Sequence, residues 1–141
     1  RTTTIFVRHL KTTRLGIPPF NLEPALGAPT ALAIGGQPAA NQRSGVGLTP
    51  TLSWAAPAMG TVDHYEVQMV ALDPATGNPA TVVGKYWTRR NELTIPPETL
   101  VVGRSYFASI SALAGAYRPL LPTYLPPESE ESRVATGVFS P

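Results

Sequence analysis

Hydrophobic and polar residues alternate along several short stretches of this chain. Over residues 48–54, Leu48, Pro50, Leu52 and Trp54 share one parity, and Thr49, Thr51 and Ser53 share the other. Successive side chains of a strand point to opposite faces, so a period of two predicts a strand with one buried face. The pattern returns over 64–71, where Tyr65, Val67, Met69 and Ala71 oppose His64, Glu66 and Gln68. It returns again over 105–113, with Tyr106, Ala108, Ile110 and Ala112 against Phe107, Ser109 and Ser111. Further strands are predicted over 1–10, which is rich in β-branched residues, and over 30–34, 82–88, 92–95 and 133–139.

The intervening segments carry the residues that stop strands. Gly16, Pro18, Pro19, Pro24, Gly27 and Pro29 make 11–29 an extended linker. Gly35 and Gly36 close the 30–34 strand, and the polar, Gly-rich 37–47 reads as loop. Residues 73–79, with Pro, Gly and Asn, form a turn, because Pro fixes φ while Gly and Asn tolerate positive φ. Residues 114–133 read as one long connection containing Pro119, Pro122, Pro126 and Pro127. Its acidic residues Glu128, Glu130 and Glu131 are expected in a solvated loop or helical turn. Short strands with turn signals about every ten residues indicate an all-β sandwich or barrel. Its filling is expected from Trp54, Tyr65, Val67, Met69, Leu93, Ile95, Leu100, Tyr106, Ile110 and Val134.

Composition agrees with that reading. The 16 Pro and 12 Gly are 28 of 141 residues, about 20% against an ordinary share of roughly 12%. Interior prolines break helices, so long uninterrupted helices are not expected. A hydrophobic share of 43% is enough to fill a core. No run of about 18 apolar residues marks a transmembrane helix. The net charge of +2 is too small to make a phosphate-binding surface, so no nucleic-acid partner is expected. The absence of Cys excludes disulfides and thiolate metal sites. The chain begins at Arg1 and is read as a piece of a longer protein.

Residues 48–139 resemble a fibronectin type III domain in four places. Leu52, Ser53 and Trp54 precede Pro57, as in the buried-Trp strand of that family. Tyr65, Glu66 and Val67 fit its Tyr-x-Val strand. Leu100, Gly103 and Tyr106 stand at the spacing of its corner, and 106–112 is similar to the strand that follows. The resemblance implies an immunoglobulin-like β-sandwich of about seven antiparallel strands with fibronectin type III topology. Residues 30–141 would form that domain, and 1–29 an N-terminal arm or a linker from a preceding domain. Tyr106 would be buried, with its hydroxyl bonded to backbone near residues 100–103.

Catalytic chemistry is not apparent. His9 and His64 are the only histidines, in separate segments. Asp63 and His64 adjoin each other on a strand, so their side chains point to opposite faces and do not make a triad. Asp63 and Asp73 are the only Asp, with no calcium-loop spacing. No Gly-rich phosphate loop occurs, so no catalytic residue, metal or cofactor is assigned.

Two surface features remain. In residues 86–90, Tyr86 and Trp87 must face opposite ways, leaving one exposed beside Arg89 and Arg90. This is a carbohydrate or anion contact or, as the simpler reading, an edge strand guarded by charge. In the long connection, Tyr117, Arg118, Leu120, Leu121, Tyr124 and Leu125 are the expected binding residues; the competing reading packs the apolar ones onto the sheet or the N-terminal arm. The resemblance implies a non-catalytic module of a secreted or cell-surface protein, a spacer or a protein or glycan interaction domain; the high Arg-to-Lys ratio, the abundant Ala, Gly and Pro and the absence of Cys point to a bacterial source. The alternative is an accessory domain of a larger extracellular hydrolase. A third is an assembly domain whose N-terminal strand pairs with a partner's sheet. Partners would be neighbouring domains of the same chain, a surface protein or a carbohydrate, with no membrane insertion in this segment.

Overall fold

A computed structural model describes residues 6–10, 26–115 and 129–141. All regular structure among them is β, in strands β1 (Phe6–Leu10), β2 (Thr30–Ile34), β3 (Gln37–Pro38), β4 (Thr51–Ala55), β5 (His64–Leu72), β6 (Pro79–Thr88), β7 (Glu92–Thr94), β8 (Tyr106–Ala114) and β9 (Ser129–Ala135). One sheet runs β1-β9-β8-β5-β6 and the other β3-β2-β4-β7. Every pairing of named strands is antiparallel. One buried cluster joins the two sheets, with Ile34, Leu52 and Trp54 on one side and Tyr65, Val67, Met69, Ala108 and Ile110 on the other. The molecule is therefore two antiparallel sheets that bury their apolar faces together, as a β-sandwich does.

The alternation of β5 is realised residue by residue. Tyr65, Val67, Met69 and Ala71 are buried, and His64, Glu66 and Gln68 lie on the opposite face. Nine of the ten predicted core residues are buried; Leu93 packs half-buried against them. Trp54 and Tyr65 meet edge to face with centroids 5.2 Å apart, an arrangement that adds roughly 0.5–1.5 kcal/mol beyond area burial.

Tyr106 is buried at the start of β8. It is 1% exposed, and its hydroxyl oxygen accepts the Val101 N–H at 2.9 Å. Its own backbone exchanges two 2.8 Å hydrogen bonds with Phe139. The C-terminal segment is thus tied to the start of β8, and Phe139 joins the core.

Several expectations need correction. Leu48 is 46% exposed, because the strand begins only at Thr51 and the parity does not extend back past Pro50. The 37–47 stretch contains β3, paired to β2 through Gly35 and Gly36. Both glycines have positive φ (58° and 74°), the geometry of a two-residue turn whose twist matches the strands. The long connection is shorter than 114–133, since β8 runs to Ala114 and β9 starts at Ser129. Glu130 and Glu131 are strand residues, not loop or helical turn, because β8 offers them a ladder partner. The last strand ends at Ala135, where Thr136 takes over: its Oγ1 accepts the Ala108 N–H at 2.9 Å.

Residues 6–10 and 26–27 also join the sandwich. β1 pairs with β9 from Phe6↔Arg133 to Leu10↔Ser129. Leu26 is 1% exposed within the core, and the Gly27 N–H donates to the Met59 carbonyl at 2.9 Å.

Candidate functional site

The five-stranded sheet turns one face to the core and the other outward. Its register lines up outward residues in rows. Trp87 lies opposite Glu66, Glu66 opposite Ser111, and Ser111 opposite Arg133. A second row runs from His64 to Leu113 to Glu131. Side chains directly opposite on neighbouring strands stand about 4.5–5.5 Å apart at Cβ, close enough to interact. These residues, with Gln68 and Lys85, surround an open hollow of about 250 Å³.

Two ion pairs organise its floor. The Glu66 carboxylate accepts from the Gln68 amide and meets Lys85 Nζ at 2.9 Å. Lys85 Nζ also lies 5.2 Å from the centroid of the Trp87 ring. Across the hollow, Arg133 reaches Glu131 Oε1 at 2.6 Å. Ser111 Oγ joins that pair, donating to Glu131 and accepting from Arg133 Nε, each at 2.9 Å. Partly exposed pairs of this kind are worth about 0–1 kcal/mol each. Their effect is to hold four charged side chains in fixed places, two acidic and two basic, with no net charge.

Burial distinguishes the members. The Glu66 side chain is 12% exposed and Ser111 2%, whereas Trp87 is 56% exposed at the sheet edge. Ser109 and Ser111 lie on the outward parity yet are buried, on a strand flanked by β5 and β9, where Ser111 is tied to Glu131 and Arg133.

The sequence feature at 86–90 resolves into two sides. Tyr86 turns inward against the core, and its hydroxyl bonds Thr99 Oγ1 at 2.8 Å. Trp87 faces out on β6, which is an edge strand, and Arg89 and Arg90 beyond it are exposed. Tyr117, Arg118, Leu120, Leu121, Tyr124 and Leu125 all lie outside the described residues. The alternation of β5 and the pair Tyr86–Trp87 signalled the outward side chains of the hollow. Nothing in the sequence signalled Glu131 and Arg133 as their companions.

Other chemistry-bearing groups have structural roles. Asp63 Oδ2 accepts the Gly115 N–H at 2.8 Å. Asp73 Oδ1 accepts the Ala75 and Thr76 N–H groups and so shapes the β5–β6 turn. Burial pushes the Tyr65 hydroxyl pKa up, and the Trp54 indole offsets that in part. By geometric criteria the buried indole N–H of Trp54 has no hydrogen-bond partner among the described residues. No group of three or more His, Asp or Glu placed to hold a metal ion occurs among the described residues. No helix among them is long and apolar enough to cross a membrane. No family model matches the chain, and no curated protein or solved structure matches it.

Proposed function

We propose that this chain is a non-catalytic fibronectin type III-like module of a bacterial secreted or cell-surface protein, acting as a spacer or as a protein or glycan interaction domain. The observation that carries the reading is the division of strands. Counted from β2 and leaving out the two-residue β3, the strands are β2, β4, β5, β6, β7, β8 and β9. The first, second and fifth share one sheet; the third, fourth, sixth and seventh share the other. That is the division expected of the family, and the Tyr106–Val101 hydrogen bond supports it at the corner. β1 is an addition at the β9 edge. The bacterial source has compositional support only, since among eleven basic residues just Lys11 and Lys85 are lysines and Cys is absent; the secreted or cell-surface setting rests on the resemblance alone.

The test is a paired assay on the purified chain. Saturable binding to surface proteins or glycans is measured beside turnover of ester, peptide and glycoside reporters. Binding without turnover is expected. Turnover by the chain itself overturns the proposal.

A further inference from the structure

We infer that the outer hollow of the five-stranded sheet is a binding site for a neutral sugar ring, stacked on Trp87 and hydrogen-bonded by Glu66, Gln68 and Arg133. The inference deepens the reading of the chain as an interaction module and rests on it.

A pyranose ring has two chemical aspects. One face presents C–H groups and is apolar; the rim presents paired hydroxyls that both donate and accept. A matching site needs an exposed aromatic plane beside planar polar groups that can take two hydroxyls at once. Trp87 supplies the plane. It is 56% exposed, unusual for the largest apolar side chain, and it is not left to rotate freely. The Lys85 ammonium lies over one ring face, tethered in turn by Glu66 at 2.9 Å. The ring is thereby pre-positioned, which lowers the entropy lost on binding.

The polar groups are likewise fixed. Glu66 is a carboxylate, Gln68 an amide and Arg133 a guanidinium, and each is already held by a neighbour in the sheet. Carboxylate and guanidinium are the forks best suited to bidentate hydrogen bonding.

Charge decides between ligand classes. Glu66 and Glu131 are matched by Lys85 and Arg133 within ion-pair distance. A phosphate, sulfate or uronate would find no excess positive charge here, and a cation no excess negative charge. A neutral polyol asks for neither. Size agrees: about 250 Å³ is below the roughly 300–1,000 Å³ of pockets for drug-sized ligands. It suits one ring of a longer chain that continues across the open sheet.

The test uses affinity electrophoresis of the 141-residue chain through gels containing neutral polysaccharides (cellulose derivatives, xylan, mannan, starch) or sulfated and uronate polymers. Retardation by at least one neutral polymer is expected. Trp87→Ala should lose it with an unchanged melting temperature, Trp87→Phe should keep part of it, and Glu66→Ala should weaken it several-fold. The same ligand should shield Trp87 from acrylamide quenching, read as the difference between the wild-type chain and Trp87→Phe. Trp54 is buried and contributes little to that signal. No retardation by any neutral polymer overturns the inference, as does retardation indifferent to Trp87 or seen only with anionic polymers and abolished by salt. Release of reducing sugar in the same samples would instead overturn the module reading, so the two failures are distinguishable.

Discussion

Removing a single oxygen tests the corner of the sandwich. In Tyr106→Phe the ring stays, with its tilted contact to Phe139 at 6.3 Å, and so do the two backbone hydrogen bonds to Phe139. Only the acceptor for the Val101 N–H, at 2.9 Å, is lost. A buried donor left without a partner costs roughly 1–3 kcal/mol. Val101 itself is 51% exposed, so water reaches its N–H in part and the upper end of that range does not apply. The expected loss is about 1–2 kcal/mol, a fall in the urea midpoint of about 0.5–1 M at the m-values usual for this size. The assay is equilibrium urea unfolding followed by far-UV circular dichroism, with the m-value fitted for both proteins. The reasoning fails if the midpoint does not move. It fails equally if the m-value changes and the midpoint shift merely reflects a different unfolded state.

Trp54→Ala removes the large aromatic shared by the two sheets and should cost about 3–5 kcal/mol by denaturant melts; a loss under 1 kcal/mol would deny Trp54 its central place. Gly137→Ala should destabilise by about 1–3 kcal/mol, because a Cβ there would stand 2.7 Å from the Asn41 carbonyl oxygen and 2.9 Å from that of Ala40; an unchanged melting temperature refutes the contact. Tyr65 has a pKa raised above its ordinary 10.0 by burial. The unfolded chain therefore ionises first: stability from this group is full below about pH 10 and is lost as pH rises through the folded value. Urea midpoints at about pH 9 and about pH 11 should fall less in Tyr65→Phe than in the wild-type chain, and parallel falls would refute the assignment.

How much of this was legible in the sequence depends on the kind of information each element needs. β5 and the inner face of β8 were readable because one face of each is buried by the opposite sheet. Burial on one face is what writes a period of two into the residues. The Tyr106 contact was legible only through the resemblance, because Leu100, Gly103 and Tyr106 stand at the spacing of that family's corner. β3 was not, since two residues carry no period; the pair Gly35–Gly36 is its only trace, and two glycines end a strand as readily as they turn it back on itself. The start of β9 was hidden by its glutamates, which strands disfavour by propensity. Glu131 is tolerated there because Arg133, two residues on along the same strand face, and Ser111, brought alongside by register, satisfy its carboxylate.

The same distinction explains the candidate site. Alternation says which way Trp87, Glu66 and Arg133 point, but not that they share a row. Putting them in one row requires three pairings to be right together: β6 with β5, β5 with β8, and β8 with β9. The β5–β6 pairing even shifts register twice, between Met69 and Val70 and between Ala71 and Leu72. Those bulges fall on the far side of Gly84 from Trp87. The stretch from Met69↔Gly84 to Tyr65↔Thr88 is therefore regular. Trp87 is opposite Glu66 only because that stretch is uninterrupted; one extra residue there would turn the indole to the core and Tyr86 to solvent. The hollow is thus a property of register, held on its inner side by the Tyr86–Thr99 hydrogen bond that fixes which of the two aromatics faces in.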